Sequence, residues 1–356
     1  MRTLLRPTGF IDSPFGHDGK VARLAGGLTW FAMVELLHVE DNRRVSSELV
    51  PVENIEDRFD DELARQWKAL TGERSALTLG ARTIRLDQPQ VMGIINATPD
   101  SFSDGGQFED ATSAAVAGAD MAAEGAAIID VGGESTRPGA KLVWENDEID
   151  RIAPVIRQLS VGGTAVSADT RKADVMTAAL EAGARMINDV SALTYDDRAA
   201  ELIAAAGVPV VLMHHRGAPE TMQDDPRYDD VLVEVYLWLE ERIAAAQDAG
   251  ITQILIDPGF GFGKTVAHNL ELMNGLALLH SLGCPLVVGA SRKRTIGALS
   301  SEAAVERRLG GSIAFALKAV EQGAQVLRVH DVFDTVQALR VWRGLRDQAL
   351  TPRLMT

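Results

Sequence analysis

Polar residues that could bind a charged ligand follow eight short apolar runs of this sequence. The first run, VMGII, stops at Asn96, and the stretch NATPDSFSDGG then supplies small polar and turn-forming residues. The polar residues after the first six runs are Asn96, Asp130, Asp169, Asn188, Asp189, His214, His215 and Asp257. The last two runs lead into GASRKR and RVHD. Any one of these residues could simply cap a helix or make a turn, so the pattern matters more than any member.

Cations recur beside these positions although the chain is acidic. It has 35 Lys plus Arg against 50 Asp plus Glu, a formal charge of −15. This balance gives no overall attraction to nucleic acid or to an anionic membrane, so neither is expected as a partner. The cations near the strand ends are Arg137, Lys264, Arg292, Lys293, Arg294 and Arg328. Together with glycine-rich loops, they predict a local site for a phosphorylated small molecule.

The apolar runs alternate with Ala-rich amphipathic stretches from about residue 90 onward, which predicts alternating strands and helices. The expected strands are Val91–Asn96, Ala127–Val131, Ala165–Asp169, Met186–Asp189, Pro209–Met213, Gln253–Asp257, Leu286–Gly289 and Gln325–Arg328. The helical stretches include VLVEVYLWLEERIAAAQDAG and EAAVERRLGGSIAFALKAVEQG. Eight βα units over about 260 residues predict a (β/α)8 TIM barrel of the α/β class. A dinucleotide-binding sheet is disfavoured, because GFGFGK has neither the GxGxxG nor the P-loop spacing.

The first 74 residues differ in sequence pattern from the rest of the chain and predict a small N-terminal α+β extension. They combine the apolar stretch ARLAGGLTWFAMVELLHVE with an acidic helical stretch, EDRFDDELARQWKAL. The expected division is therefore an extension at 1–74, whose role stays open, and a barrel at 75–350. At the start of the barrel, ALTLGARTIRL predicts a hairpin that turns at Gly80 and Ala81 and plugs the barrel floor.

Other classes of protein and site are disfavoured by composition. The single cysteine, Cys284, lies in the apolar context LGCPLVV and predicts a core thiol. The seven histidines form no HExxH pattern, which argues against a zinc hydrolase. No apolar run is long enough for a signal peptide or a membrane span, so a cytoplasmic protein is expected.

Six motifs then occur in order, each at an expected strand: MGIINATPDSFSDGG, DVGGESTRPGA, INDVSAL, DPGFGFGK, GASRK and RVHDV. With them the sequence resembles the dihydropteroate synthase family from about residue 88 to 350. The resemblance implies condensation of 6-hydroxymethyl-7,8-dihydropterin diphosphate with p-aminobenzoate, with release of diphosphate. It also implies a Mg²⁺ cofactor and a homodimer formed by the late helices.

The resemblance assigns roles to individual residues. For the pterin it implies Asp169, Asn188, Asp257, Phe262, Lys293 and Arg328. For the diphosphate it implies Asn96, which also binds the metal, with Thr136, Arg137, Arg328 and His330. For p-aminobenzoate it implies Phe102, Thr136, Pro138 and Ser291. The implied catalytic residues are Asp104, Arg137, Lys293, Arg328 and His330.

Two other functions stay open, and so does the question of which of two adjacent histidines faces the pocket. A pterin-binding barrel that transfers methyl from methyltetrahydrofolate to a corrinoid would share the carboxylates, but it would not need the cations of STRPG and RVH. A non-catalytic pterin-binding module is disfavoured because no expected motif is broken. His214 and His215 alternate in direction along a strand, so only one of them can face the pocket.

Overall fold

The computed structural model of the chain describes residues 1–97, 111–134, 142–217 and 221–351. Five of the residues assigned by resemblance lie outside these ranges: Phe102, Asp104, Thr136, Arg137 and Pro138.

Parallel strands form the centre of the molecule, as the alternation predicts. In the described ranges, the central sheet has eight strands: β7 (Gln90–Asn96), β8 (Ile128–Gly132), β9 (Val166–Asp169), β10 (Met186–Asp189), β11 (Val210–Met213), β12 (Ile254–Asp257), β13 (Val287–Val288) and β14 (Val326–Val329). They pair in the order β12-β11-β10-β9-β8-β7-β14-β13. A parallel bridge between Ile256 and Leu286 joins the two ends of this sheet and closes the barrel. The predicted TIM barrel is confirmed, and each predicted strand overlaps an observed one.

Helices follow the strands and cover the barrel. They are α2 (Ala111–Glu124), α3 (Glu145–Val161), α4 (Ala173–Ala182), α5 (Ala199–Ala206), α6 (Val231–Asp248), α7 (Val266–Gly275), α8 (Arg294–Leu299), α9 (Leu309–Glu321) and α10 (Val332–Ala349). The helical stretch predicted from Glu302 begins only at Leu309, after a 3-10 turn at Val305–Arg307. Ser301 and Glu302 adopt positive φ, which interrupts helical geometry at this point. None of the described helices is long and apolar enough to cross a membrane.

The first 74 residues contain an antiparallel sheet and a helix. The strands are β1 (Arg2–Ile11), β2 (Ala22–Arg23), β3 (Trp30–Glu40) and β4 (Arg43–Pro51), and the helix is α1 (Asp61–Thr71). β3 pairs with each of the other three strands. The N-cap of α1 is Asp60, whose side chain accepts the backbone N–H of Leu63 at 2.8 Å. Such an N-cap satisfies a backbone donor that the first helical turn leaves unpaired.

The sheet and α1 pack on the outside of the barrel. Leu4 and Leu37 belong to the same apolar cluster as the barrel core. Arg346 of α10 donates to the carbonyl oxygen of Leu28 from Nε at 3.1 Å and from Nη2 at 2.8 Å. In the linker, Arg74 donates to the carbonyl oxygen of His280 at 2.9 Å. Apolar packing and guanidinium groups therefore attach this region to the barrel.

The floor of the barrel is closed by a hairpin. Its strands, β5 (Leu77–Leu79) and β6 (Arg82–Ile84), pair antiparallel around Gly80 and Ala81. Leu77, Leu79 and Ile84 are buried in one cluster with residues from the amino ends of the barrel strands. The cluster includes Met92, Ile128, Ala165, Met186, Val211, Leu255, Val287 and Val326. The hairpin thus fills the floor as predicted, and the polar strand ends lie at the opposite end, the mouth.

Candidate active site

Arg328 lies at the centre of the mouth and bridges two carboxylates from different strands. From β14, its Nε donates to Oδ2 of Asp130 on β8 at 2.6 Å. Its Nη2 donates to Oδ2 of Asp169 at the end of β9, also at 2.6 Å. Burial alone would lower the pKa of Arg328, but the charges of Asp130 and Asp169 raise it above its ordinary value. The guanidinium therefore stays charged and fixes the relative positions of three strands.

Asn188 extends this network from β10. Its Nδ2 donates to the same Oδ2 of Asp130 at 3.0 Å, and both side chains are buried. That hydrogen bond uses the amide nitrogen and sets the orientation of the group, so the amide oxygen is left as an acceptor. Asn188 can therefore present an acceptor to a ligand while Asp130 holds its nitrogen.

The surroundings of Asp169 disfavour the ionised form of its carboxyl group. Burial raises the pKa of its carboxyl to about 7, and the negative charge of Asp130 adds to the rise, while Arg328 acts in the opposite direction. A buried carboxylate of this kind is stabilised by donors, and a ligand with N–H groups supplies them. The site therefore favours a neutral donor edge opposite Asp169.

Asp257 ends β12 and is held differently. Its Oδ1 accepts the backbone N–H of Gly259 at 2.7 Å. Burial raises the pKa of the carboxyl, and the hydrogen bond from Gly259 and the charge of Lys293 oppose that rise. A Cβ on Gly289, after β13, would lie 3.6 Å from Oδ2 of Asp257, so a strand end without a side chain leaves space beside this oxygen. A small ligand can approach the carboxylate there.

Lys293 contacts Phe262, and its charge acts on Asp257. Nζ of Lys293 lies 4.2 Å from the centre of the Phe262 ring, a cation–π distance. Lys293 precedes α8, whereas Phe262 belongs to the glycine-rich loop after β12. The pair brings a positive charge and an aromatic face to the same side of the mouth as Asp257.

His330 and Ser291 form the rim between β13 and β14. Nδ1 of His330 lies 3.2 Å from Oγ of Ser291, and the backbone N–H of His330 donates to the same oxygen at 3.3 Å. Burial lowers the pKa of His330 to about 3, and the charges of Arg292 and Arg328 act in the same direction. The imidazole is therefore neutral near pH 7. It can donate or accept a hydrogen bond but carries no charge for a phosphate.

Asn96 ends β7, next to Gly132 of β8, and is half-buried at the mouth. In the part of the chain that the structure describes, no three acidic, histidine or cysteine side chains are grouped to hold a metal ion. Magnesium is commonly bound by one or two protein oxygens together with substrate phosphates and water. Asn96 fits that mode of binding, because it supplies one neutral oxygen and leaves the other positions to the ligand.

The two adjacent histidines point to different surroundings. His214 is buried, and its Nδ1 lies 2.8 Å from Nζ of Lys264. Its ring packs against Trp238 with the centroids 4.9 Å apart. His215 is half-buried, and its Nδ1 lies 3.3 Å from the carbonyl oxygen of Gly217. Neither ring bonds to the Arg328 network. His214 contacts Lys264 of the loop after β12, whereas His215 contacts its own loop after β11.

Sequence reasoning placed Asp130 among the strand-end residues but left it out of the binding set. The structure shows that it is fully buried and accepts hydrogen bonds from both Arg328 and Asn188. Its position two residues before the end of β8 was the available signal, because alternate residues of a barrel strand point inward. The structure brings together Asp169, Asn188 and Arg328 in one network and Asp257, Phe262 and Lys293 in another, whereas their roles stay predictions.

Comparison with known proteins agrees with this geometry. Residues 92–330 match the family described as pterin binding enzyme. The dihydropteroate synthase of Neisseria meningitidis serogroup B is 47% identical over 274 residues, which cover 75% of this chain and 96% of the relative. The Xanthomonas albilineans dihydropteroate synthase with 4-aminobenzoic acid superposes with a TM-score of 0.72 at 49% identity, covering 78% of this chain and 99% of that one.

A second structure of the Xanthomonas albilineans enzyme, in complex with 7,8-dihydropteroate, gives a TM-score of 0.70 at 46% identity and covers 78% of this chain and all of the other. The match therefore concerns the barrel with its mouth, and the family model begins after the N-terminal extension. By the length of the match, its identity and the shared fold, this chain belongs to the dihydropteroate synthase family of pterin-binding enzymes.

Proposed function

We propose that this chain condenses 6-hydroxymethyl-7,8-dihydropterin diphosphate with p-aminobenzoate and releases diphosphate and 7,8-dihydropteroate, as a transferase of folate synthesis. The observation that carries the proposal is the bridge from Arg328 to Asp130 and Asp169, with Asn188 on the same carboxylate. It creates a rigid, buried set of acceptors at the mouth. A flat heterocycle with N–H donors along one edge matches that set.

The pterin edge supplies hydrogen-bond donors for the acceptor atoms of Asp257 and Asn188. Asp257 keeps Oδ2 available beside its bond to Gly259, and Asn188 keeps its amide oxygen. The ring N–H and the exocyclic amine of a dihydropterin are two donors, and a carboxylate accepts both. Lys293 can then donate to the ring carbonyl while Phe262 contacts the ring system. Each buried group thereby gains a partner, which makes binding selective for the pterin.

The reaction needs charge neutralisation more than proton abstraction. The carbon–oxygen bond to the diphosphate breaks, and its electron pair leaves with the diphosphate. The arylamine nitrogen forms the new bond to carbon and releases one proton to solvent. The conjugated ring disperses the positive charge, and a neutral arylamine is already nucleophilic. The neutral His330 and the buried Ser291 are therefore assigned to positioning at the rim, and no strong base is required.

The leaving diphosphate is assigned to Asn96, Thr136, Arg137, Arg328 and His330. Asn96 would hold Mg²⁺, which when bound offsets phosphate charge. Arg328 already neutralises two carboxylates, so its remaining donors are what it can offer to the diphosphate. The p-aminobenzoate pocket is assigned to Phe102, Thr136, Pro138 and Ser291, with Asp104 beside it.

A homodimer is part of the proposal. α9 and α10 share an apolar groove lined by Leu309, Ile313, Leu317, Trp342 and Leu345. Leu309 and Leu345 are 37% and 68% exposed, and Val341 beside them is 63% exposed. Large apolar side chains grouped on one surface are typical of a contact with another protein. Light scattering of the wild type and of Leu345→Glu tests this, since the variant should be monomeric if the face is the interface.

One assay tests the function as a whole. Purified chain, pterin diphosphate, p-aminobenzoate and Mg²⁺ should release diphosphate and form dihydropteroate in equal amounts. Exhaustive chelation of the metal should abolish turnover, and Mg²⁺ should restore it, because the described residues offer no dense carboxylate site that would retain an ion. Methyl transfer from methyltetrahydrofolate to a corrinoid, or pterin binding without diphosphate release, would replace the proposal.

A further inference from the structure

Lys264 is a buried lysine whose ammonium group meets uncharged acceptors. It is 3% exposed and directly follows GFGFG, the loop after β12. Its Nζ donates to the carbonyl oxygens of Gly259 at 2.9 Å and Phe262 at 3.1 Å. Nδ1 of His214 lies 2.8 Å from the same nitrogen. An ammonium group has three donors and no acceptor, so it matches these three partners when the His214 ring is neutral.

The chemistry of His214 agrees with that match. Burial lowers the pKa of His214 well below its ordinary value, and the charge of Lys264 acts in the same direction. Burial also lowers the pKa of Lys264, and the negative charge of Asp257 opposes that change. Transfer of an ammonium group out of water is costly unless its donors are satisfied. Three close acceptors supply this compensation, so the arrangement is a specific one.

Two residues assigned to the pterin adjoin the loop that Lys264 holds: Asp257 precedes it and Phe262 lies within it. Gly259 is bonded to Lys264 through its oxygen and to Asp257 through its N–H, at 2.9 and 2.7 Å. Phe262 is bonded to Lys264 through its oxygen, while its ring lies under Nζ of Lys293. One ammonium group thus holds the carbonyl of Gly259, the residue whose N–H bonds Asp257, and the carbonyl of Phe262.

The glycines of this loop give it little intrinsic rigidity, so contacts with other residues must hold its shape. Gly259 and Gly263 have positive φ, and a Cβ at either position would overlap a carbonyl oxygen, that of His214 or of Arg216. Glycine provides the close approach but lowers intrinsic rigidity. The far end is held separately, since the hydroxyl of Tyr228 donates to the carbonyl oxygen of Gly263 at 2.9 Å. Gly261, in the middle of the loop, donates its N–H to Oδ1 of Asn269 at 2.8 Å and accepts a hydrogen bond from Gln223. Lys264 holds the carbonyls on either side of it, those of Gly259 and Phe262.

We propose that Lys264, with His214 as its partner, is a positioning residue that presents Asp257 and Phe262 to the pterin. The inference rests on the proposed function, because it assigns Asp257 to the pterin edge. Lys264 itself touches no substrate. Its loss should therefore weaken pterin recognition specifically and leave p-aminobenzoate recognition in place.

The test is Lys264→Met, which keeps the length of the side chain and removes its donors. We expect KM for pterin diphosphate to rise by about tenfold to a hundredfold, since small displacements of a positioned group have effects of that order. KM for p-aminobenzoate should stay within about twofold. The control is Tyr228→Phe, which keeps the ring and removes one hydrogen bond at the far end of the loop, with a pterin effect within about threefold.

A double-mutant cycle with Asp257→Asn separates positioning from general stability. If Lys264 acts through Asp257 and Phe262, Lys264→Met should raise KM for pterin diphosphate by a smaller factor in the Asp257→Asn background than in the wild type, because only the Phe262 contribution is left to lose. Additive losses, or equal losses for both substrates, would overturn the inference. If Lys264→Met is insoluble, His214→Phe tests the same contact with the ring packing on Trp238 retained, and an unchanged pterin KM would count against it. Failure of the wild type to release diphosphate would instead refute the proposed function.

Discussion

The same strands form the mouth and the floor of the barrel, but their side chains are charged or polar at the mouth and apolar at the floor. β8 gives Ile128 to the floor and Asp130 to the mouth, only two residues apart. β12 gives Leu255 to the floor and Asp257 to the mouth. At the floor, these strands meet an apolar hairpin. At the mouth, they meet charged groups and each other's carboxylates.

The difference separates what stabilises the fold from what could do chemistry. Burial of apolar side chains at the floor stabilises the protein by about 25 cal/mol per Å² of apolar area. Burial of Asp130 and Asp169 at the mouth is unfavourable and is offset by Arg328. The mouth therefore contains buried charged groups that are unfavourable for folding. Substitutions at the two ends should separate activity from stability.

The largest effect is expected for Arg328→Met. It leaves two buried carboxylates without their cation, and breaking such a pair costs about 3–5 kcal/mol. We expect the free energy of unfolding to fall by about that amount. We expect kcat/KM for pterin diphosphate to fall by about a thousandfold, because removal of one positioned electrostatic donor costs about a hundredfold to a thousandfold. Steady-state kinetics and thermal unfolding on one preparation measure both consequences.

A comparison of two ligands separates the contact of Arg328 with the diphosphate from its contact with the pterin ring. Arg328→Met should weaken binding of pterin diphosphate more than binding of the free pterin alcohol, because the guanidinium is assigned to the leaving group as well as to the ring. Arg198→Met is the control, since Arg198 pairs with Asp174 on the exposed surface. Equal losses for the two ligands would make Arg328 a structural residue only.

Asp257→Asn should have the next largest effect, with the fold retained. An amide accepts one donor where the carboxylate accepts two, so an N–H of the pterin would face an NH₂ group in a buried pocket. We expect pterin affinity to fall by at least about a hundredfold, measured by calorimetry.

Asp189→Asn provides the matched contrast on β10. Asp189 is buried, but its oxygens accept the backbone N–H groups of Ser191 and Leu193 at 2.7 and 2.9 Å. We expect this variant to lose thermal stability while the folded protein retains most of its pterin affinity. Wild-type affinity in a well-folded Asp257→Asn variant would remove Asp257 from the pterin site.

A smaller effect is expected from pH. Burial raises the pKa of Asp169 from 3.8 to about 7, so the folded protein binds this proton more tightly than the unfolded chain. The stability that Asp169 contributes is full below about pH 4 and is lost as the pH rises to about 7. Pterin binding should have the opposite dependence, because the ligand needs the ionised carboxylate as its acceptor.

We therefore expect the dissociation constant for the pterin to rise by about tenfold from pH 8 to pH 6. His330, with a pKa of about 3, stays neutral throughout this interval. Asp169→Asn should bind more weakly with a smaller pH dependence, and the remainder belongs to Asp257, whose pKa burial also raises. A wild-type affinity that does not change between these pH values would contradict the assignment of Asp169.

The sequence predicted the barrel well, because parallel strands buried on both faces give continuous apolar runs such as VMGII. It also predicted the floor hairpin from its alternating residues and its turn. It placed the start of α9 too early, since local composition hides the positive φ of Ser301 and Glu302. Propensity is a weak guide where tertiary contacts decide the backbone.

The candidate site was predictable in its members but not in its connections. Strand-end position indicated Asp169, Asn188 and Asp257 as a group. That Arg328 would bind Asp130 and Asp169 depends on the closure of β14 beside β7, which no local pattern contains. The placement of Lys264 beneath its own loop likewise follows from three-dimensional packing against His214.

The smallest effect on catalysis is expected at the floor, for Leu79→Ala in the hairpin. Leu79 is 2% exposed and packs in the cluster that closes the barrel, so its truncation leaves a cavity. We expect the free energy of unfolding to fall by about 2–5 kcal/mol, as for other buried leucines. KM for pterin diphosphate should remain within about twofold, because Leu79 packs at the floor, at the end of the strands opposite to Asp169, Asn188 and Asp257. Leu49→Ala, on β4 and 62% exposed, is the matched control and should change stability by less than about 0.5 kcal/mol. Denaturant unfolding and initial rates on the same preparations measure both quantities. A Leu79→Ala protein of wild-type stability with an altered pterin KM would show that the floor, and not only the mouth, shapes the site.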